Sequence, residues 1–159
     1  DADDPKLKYF SGRAVYEKTV KIPALALDGG RALILDLGEV HEIANVWVNG
    51  KFVACLWEAP YRVTVPSSFL GQRPASMALR IEVVNLLPNR MIGDAIAIRD
   101  GAKEEMDASR QWPKWVLENR QDSGTGIFTW SNFRQAWSAD DQPLRSGLLG
   151  PVTIRRSDK

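Results

Sequence analysis

Residues 77–83 alternate cleanly: Met77, Leu79, Ile81 and Val83 are apolar, while Arg80 and Glu82 between them are charged. A repeat of two places successive side chains on opposite faces, so this segment predicts a strand with one buried and one wet face. The texture recurs along the chain. Arg13 to Ile22 alternates weakly, with Tyr16 and Val20 on one side and Glu17 and Lys21 on the other. Ala32 to Leu37 is an apolar run of strand length, and Tyr61 to Val65 forms another between Pro60 and Pro66. Gly150 to Arg155 reads as a closing strand with Val152 and Ile154 inward. The segment NVWVNGKFV, 45–53, sets two runs of β-formers around Asn49-Gly50. A type I′ turn needs positive φ at both central residues, which Asn-Gly supplies at little steric cost. Arms of Glu42 to Val48 and Lys51 to Leu56 are therefore expected to form a tight antiparallel hairpin.

The alternation fades between Leu86 and Leu149. Trp115, Leu117 and Glu118 suit a helical turn or two after Pro113, which is well placed as a first helical residue, and Ile127 to Trp130 suits one more strand. A weakly patterned stretch of about 60 residues is long for a compact domain, and such insertions usually carry function or an interaction surface. The opening DADDPKLK is charged and contains Pro5, as a lead-in or linker does. Successive strands with Gly/Pro turns and no long amphipathic helix predict an all-β fold. Uneven strand lengths favour a sandwich over a barrel.

At 159 residues the chain suits one domain with a proper core. Its 21 Lys+Arg against 20 Asp+Glu leave a net charge of +1, which gives no electrostatic case for a nucleic-acid or anionic membrane partner. The Arg155-Arg156 pair is expected in a solvated tail. No apolar run reaches the roughly 20 residues of a membrane span, and no signal-peptide pattern opens the chain. The start at Asp1 without Met suggests an excised piece. The single cysteine, Cys55, excludes an internal disulfide and is expected to be a small buried residue in its strand.

Catalytic chemistry finds little support. His41 is the only histidine and has no partner motif for a nucleophilic triad. One His and one Cys cannot build a zinc site, and Gly124-Thr125-Gly126 lacks the lysine of a phosphate loop. Glu104, Glu105 and Asp107 read as a solvated polar segment, with Lys103 and Arg110 nearby. Oxygen ligands suit a structural calcium, which sandwich modules often carry, but no spaced Asp/Asn run singles out a site.

Six tryptophans is a high count for this length. Trp47 is expected in core or sheet-face packing, whereas Trp57, Trp112, Trp115, Trp130 and Trp137 fall at strand ends or in the weakly patterned region. Aromatic rings stack on the C–H faces of sugars while Asn, Asp, Glu and Arg bond the hydroxyls. The same rings also serve to fasten long loops or fill an interdomain contact. After the cleanest strand, NLLPNRMIGD gathers Asn85, Asn89, Arg90 and Asp94, either as a site at a strand end or as an Arg90–Asp94 ion pair that pins a loop.

The stretch LDLGEVHEIANVWVNGKFVACLWEAPYRVTVP (Leu35 to Pro66) resembles the sugar-binding, galactose-binding-like jelly-roll domain of glycoside hydrolase family 2. YFSGRAVYEK, NLLPNRMIGD, WPKWVLEN, FTW and SGLLGPVTI resemble the C-terminal jelly-roll of bacterial α-L-rhamnosidase-like proteins of family 106. In such enzymes the catalytic carboxylates belong to a separate barrel domain. The resemblance implies a jelly-roll sandwich over 9–155, with a lead-in at 1–8, a tail at 156–159 and an irregular Trp-rich insertion over 99–142 that contains a short helix. It implies a non-catalytic module of a larger extracellular or periplasmic enzyme, with carbohydrate and the upstream catalytic domain of the same polypeptide as partners and no cofactor. The residues expected to hold sugar are Trp57, Glu58 and Tyr61 beside the hairpin, Asn89, Arg90 and Asp94 on the neighbouring loop, and Trp130. The alternative is a structural module that docks its Arg99 to Gln142 region onto the catalytic domain without binding sugar.

Overall fold

The chain is seen in a computed structural model that describes residues 4–23, 31–70, 76–100, 118 and 136–157. These fall into two compact units, one of Asp1–Ser11 with Leu87–Leu144 and one of Gly12–Leu86 with Arg145–Lys159. The second unit carries the strands β1 (Arg13–Lys21), β2 (Leu33–Asp36), β3 (Glu39–His41), β4 (Ile43–Val48), β5 (Lys51–Leu56), β6 (Arg62–Val65), β7 (Ser76–Val84), β8 (Gly147–Gly150) and β9 (Thr153–Arg156). They form a four-stranded antiparallel sheet in the order β1-β7-β4-β5, a three-stranded sheet β6-β2-β9 and a pair β3-β8. The fold is an all-β sandwich.

Period-two alternation builds its core. Leu79, Ile81 and Val83 of β7 lie level with Val48, Val46 and Ala44 of β4, and these six are buried with Met77 of β7, Leu33 and Leu35 of β2 and Val65 of β6. The hairpin forms as the sequence predicts: Asn49 and Gly50 have φ of 49° and 76°. The Asn49 amide also stitches the turn to its surroundings, accepting from the Ala78 N–H at 2.9 Å and donating to the Phe69 carbonyl at 2.9 Å.

Four expectations are corrected. Cys55 is exposed, because Ala54 and Leu56 pair with the inward Val46 and Ala44, which turns Cys55 outward beside Asn45. The closing strand is two short strands, β8 and β9, separated at Pro151, which has no N–H for a ladder. Arg155 and Arg156 are the last residues of β9, paired with Ile34 and Leu33, and not a tail. The polar stretch after Leu86 is no loop: Pro88–Arg99 is a helix, α2, after the single turn α1 at Pro5–Lys8 within the expected lead-in. Proline at the first helical position costs no hydrogen bond, and Met91, Ile92, Ala95 and Ile96 recur at helical spacing, with Met91 and Ile92 buried. The expected helical turn at Trp115 and Leu117 and the strand Ile127 to Trp130 lie outside the described residues, as does most of 101–135.

Candidate carbohydrate site

Partners in an antiparallel ladder share a face. Glu17 of β1 is level with Arg80 of β7, Arg80 with Trp47 of β4, and Trp47 with Phe52 of β5. One row therefore crosses all four strands on the outer face, opposite the core. Its members touch in sequence. Arg80 Nη1 lies 3.3 Å from Glu17 Oε1, and Nη2 lies 3.3 Å from Glu82 Oε2. The guanidinium carbon is 5.2 Å from the Trp47 ring centre, and the Trp47 and Phe52 rings meet edge to face at 5.4 Å. Glu17, Arg80 and Trp47 of this row line an open groove of about 710 Å³, together with Lys18, Thr19 and Gly50, and Phe52 continues the row beyond it. A half-exposed tryptophan, an exposed phenylalanine, a carboxylate, a guanidinium and a hydroxyl thus face solvent on a rigid sheet. Such a surface offers apolar area to a sugar ring and donors and acceptors to its hydroxyls.

The residues singled out from sequence fall elsewhere. Trp57 and Glu58 follow β5 and are exposed, Trp57 to 66%. Tyr61 is turned inward: its hydroxyl donates to the Glu42 carbonyl at 2.7 Å, and its ring packs on the core. Burial, with the Glu42 charge second, holds its hydroxyl above the ordinary tyrosine range. Asn89, Arg90 and Asp94 lie on α2, in the other unit. Buried Asn89 clamps residue 144 at both backbone groups, donating to the Leu144 carbonyl at 2.8 Å and accepting from its N–H at 2.7 Å. Arg90 Nε lies 3.3 Å from Asp94 Oδ1, one helical turn away, with the carboxylate buried. Trp130 is outside the described residues. The sequence reading missed Trp47, Arg80 and Glu17 as a set. The signal was present, since the alternation that buries Val46 and Val48 turns Trp47 outward, but the partners across the ladder come from distant segments.

A further polar cluster joins β3 to Arg145, just before β8. His41 Nε2 is 2.8 Å from Glu39 Oε1, and Arg145 Nη1 approaches the same oxygen at 2.7 Å. The His41 hydrogen bond, then the Arg145 charge, holds the Glu39 carboxyl below its usual range. His41 Nδ1 lies 3.7 Å from Glu42 Oε1, and among the described residues no group of three His, Cys, Asp or Glu is placed to hold a metal ion. No described helix is long and apolar enough to cross a membrane.

No protein-family profile matches the chain. A protein of Formosa agariphila named "Putative beta-glucuronidase" is 39% identical over 156 residues, which is 93% of this chain and 12% of that protein. A solved structure of the rhamnosidase from Novosphingobium sp. PP1Y superposes with a TM-score of 0.67 at 34% identity, over 98% of this chain and 12% of that one. The chain thus spans about an eighth of the length of both proteins.

Proposed function

We propose that this chain is a non-catalytic accessory module of a larger, α-L-rhamnosidase-like glycoside hydrolase, and that it binds carbohydrate in the groove on the outer face of its four-stranded sheet. The observation that carries the reading is the row Glu17–Arg80–Trp47–Phe52, which combines ring faces with fixed polar groups on a preformed surface. The two similar proteins bear glycosidase names, and in each this sequence corresponds to a small part. Trp57 and Glu58 extend the binding surface from the end of the hairpin. On α2, Asn89, Arg90 and Asp94 hold the helical unit together. This mode of binding calls for no cofactor, and the parent enzyme works on glycans outside the cytoplasm.

Calorimetric titration of the folded chain with rhamnose and plant-type oligosaccharides tests the proposal. Saturable heat, weakened at least tenfold by Trp47→Ala, is expected; absence of heat with every glycan overturns it. The exposure of Trp57 favours a second reading, in which that corner braces the catalytic domain. Loss of that association in Trp57→Ala, with no glycan binding by the parent chain, would establish bracing instead.

A further inference from the structure

Resting on the groove as the sugar site, we infer that it selects neutral, hydroxyl-rich sugars and rejects uronic acids. The reason is the charge arrangement around Arg80. Its guanidinium already meets two carboxylates, Glu17 through Nη1 and Glu82 through Nη2, each at 3.3 Å. Glu82 is largely enclosed and has a second cation, Arg13, at 3.8 Å. Lys18 also lines the groove, but it is level with the core residue Leu79, so its side chain starts from the opposite face of the sheet to Glu17 and Arg80. The outer row therefore offers an entering carboxylate a guanidinium already matched by protein carboxylates, with Glu17 itself lining the groove.

A uronate would have to displace Glu17 from Arg80 or sit beside it as a like charge, and either weakens binding. A neutral pyranose needs neither. Its hydroxyls donate to Glu17 and Thr19 and accept from guanidinium N–H groups, which number five on an arginine. Its C–H face rests on the Trp47 ring. Binding of this kind depends little on ionic strength, unlike capture of an anion by a cationic site.

The 159-residue chain is titrated with length-matched panels of neutral rhamno-, galacto- and arabino-oligosaccharides and of oligogalacturonides and oligoglucuronides. The inference requires at least tenfold tighter binding of the best neutral glycan, changing less than twofold between low and physiological salt. Glu17→Gln releases Arg80 from one carboxylate at an exposed position. It should weaken neutral binding and strengthen uronate binding, shrinking the ratio at least fivefold. Uronates bound as tightly as neutral glycans, or a ratio unmoved by Glu17→Gln, overturn the inference and leave carbohydrate binding standing. A folded chain that binds neither panel overturns both.

Discussion

The Arg80 guanidinium carbon lies 5.2 Å from the centre of the Trp47 ring, and the two residues are direct partners across β7 and β4. The pairing fixes both side chains from the backbone outward, so the surface they form is ordered before any ligand arrives. A cation over an indole is worth about 0.5–1 kcal/mol at an exposed site. A double-mutant cycle of Trp47→Ala and Arg80→Gln in urea unfolding should therefore give a coupling of about 0.5–1 kcal/mol. Additive effects would show that the contact contributes nothing.

The hairpin turn supports a second prediction. Asn49 at φ 49° joins the turn to Ala78 and Phe69 through both ends of its amide. Asn49→Ala loses those bonds and puts a Cβ residue of lower left-handed tolerance there, at a cost of about 1–3 kcal/mol. Gly50→Ala meets no neighbour within 4 Å, so its cost comes from the positive φ alone, about 1–2 kcal/mol. Chemical denaturation of both variants checks this. A larger loss in Gly50→Ala than in Asn49→Ala would contradict it.

Acid should expose Asp36. Its carboxylate accepts the Gly38 N–H at 3.0 Å and the Arg62 Nε and Nη2 at 2.9 and 2.6 Å, and its cross-strand partner is Arg62. The Gly38 bond first, and the Arg62 bond second, hold its pKa below the ordinary aspartate value. A depressed folded pKa gives stabilisation that is full above the unfolded value, about 3.9, and that drains away as pH falls through the folded one. Asp36→Asn should cost about 1–3 kcal/mol at pH 7, with the deficit shrinking as pH falls below about 4. A deficit unchanged in acid would show that the charge of Asp36 is not what matters.

On α2, Gly93 allows Tyr9 to lie against the helix. A Cβ at Gly93 would come within 2.6 Å of Tyr9 Cβ and 2.9 Å of Cγ. Those atoms sit close to the backbone and cannot swing away, so Gly93→Ala should destabilise this unit by about 1–3 kcal/mol. Tyr9→Ala shortens but does not remove that obstacle, because its Cβ remains. The clash predicts little rescue in the double variant, whereas Tyr9→Gly should restore stability. Hydrogen exchange of the α2 amides reads both, and unchanged protection in Gly93→Ala would refute the steric account.

The strands were legible because a half-buried sheet imprints a period of two, as in β7 and β4. The helix α2 was not, because Asn89, Arg90 and Asp94 drew attention as a polar set while Met91, Ile92, Ala95 and Ile96 carried the helical period beneath them. The closing β8 and β9 were joined into one strand because their apolar residues run on across Pro151. The site was least legible of all. The Tyr61 hydroxyl donates to the Glu42 carbonyl, and register sets Trp47 between Arg80 and Phe52 on the outer face; neither fact is written in the residues beside them. Register joins residues 17, 80, 47 and 52 across spans that no local pattern encodes.

Isothermal titration of neutral plant-type oligosaccharides into the folded chain and into Trp47→Ala tests the central claim most directly. The account predicts saturable binding to the parent chain, reduced at least tenfold in Trp47→Ala, with matching circular dichroism spectra showing both folded. Equal affinity in the two proteins, or no binding by the folded parent, would contradict it.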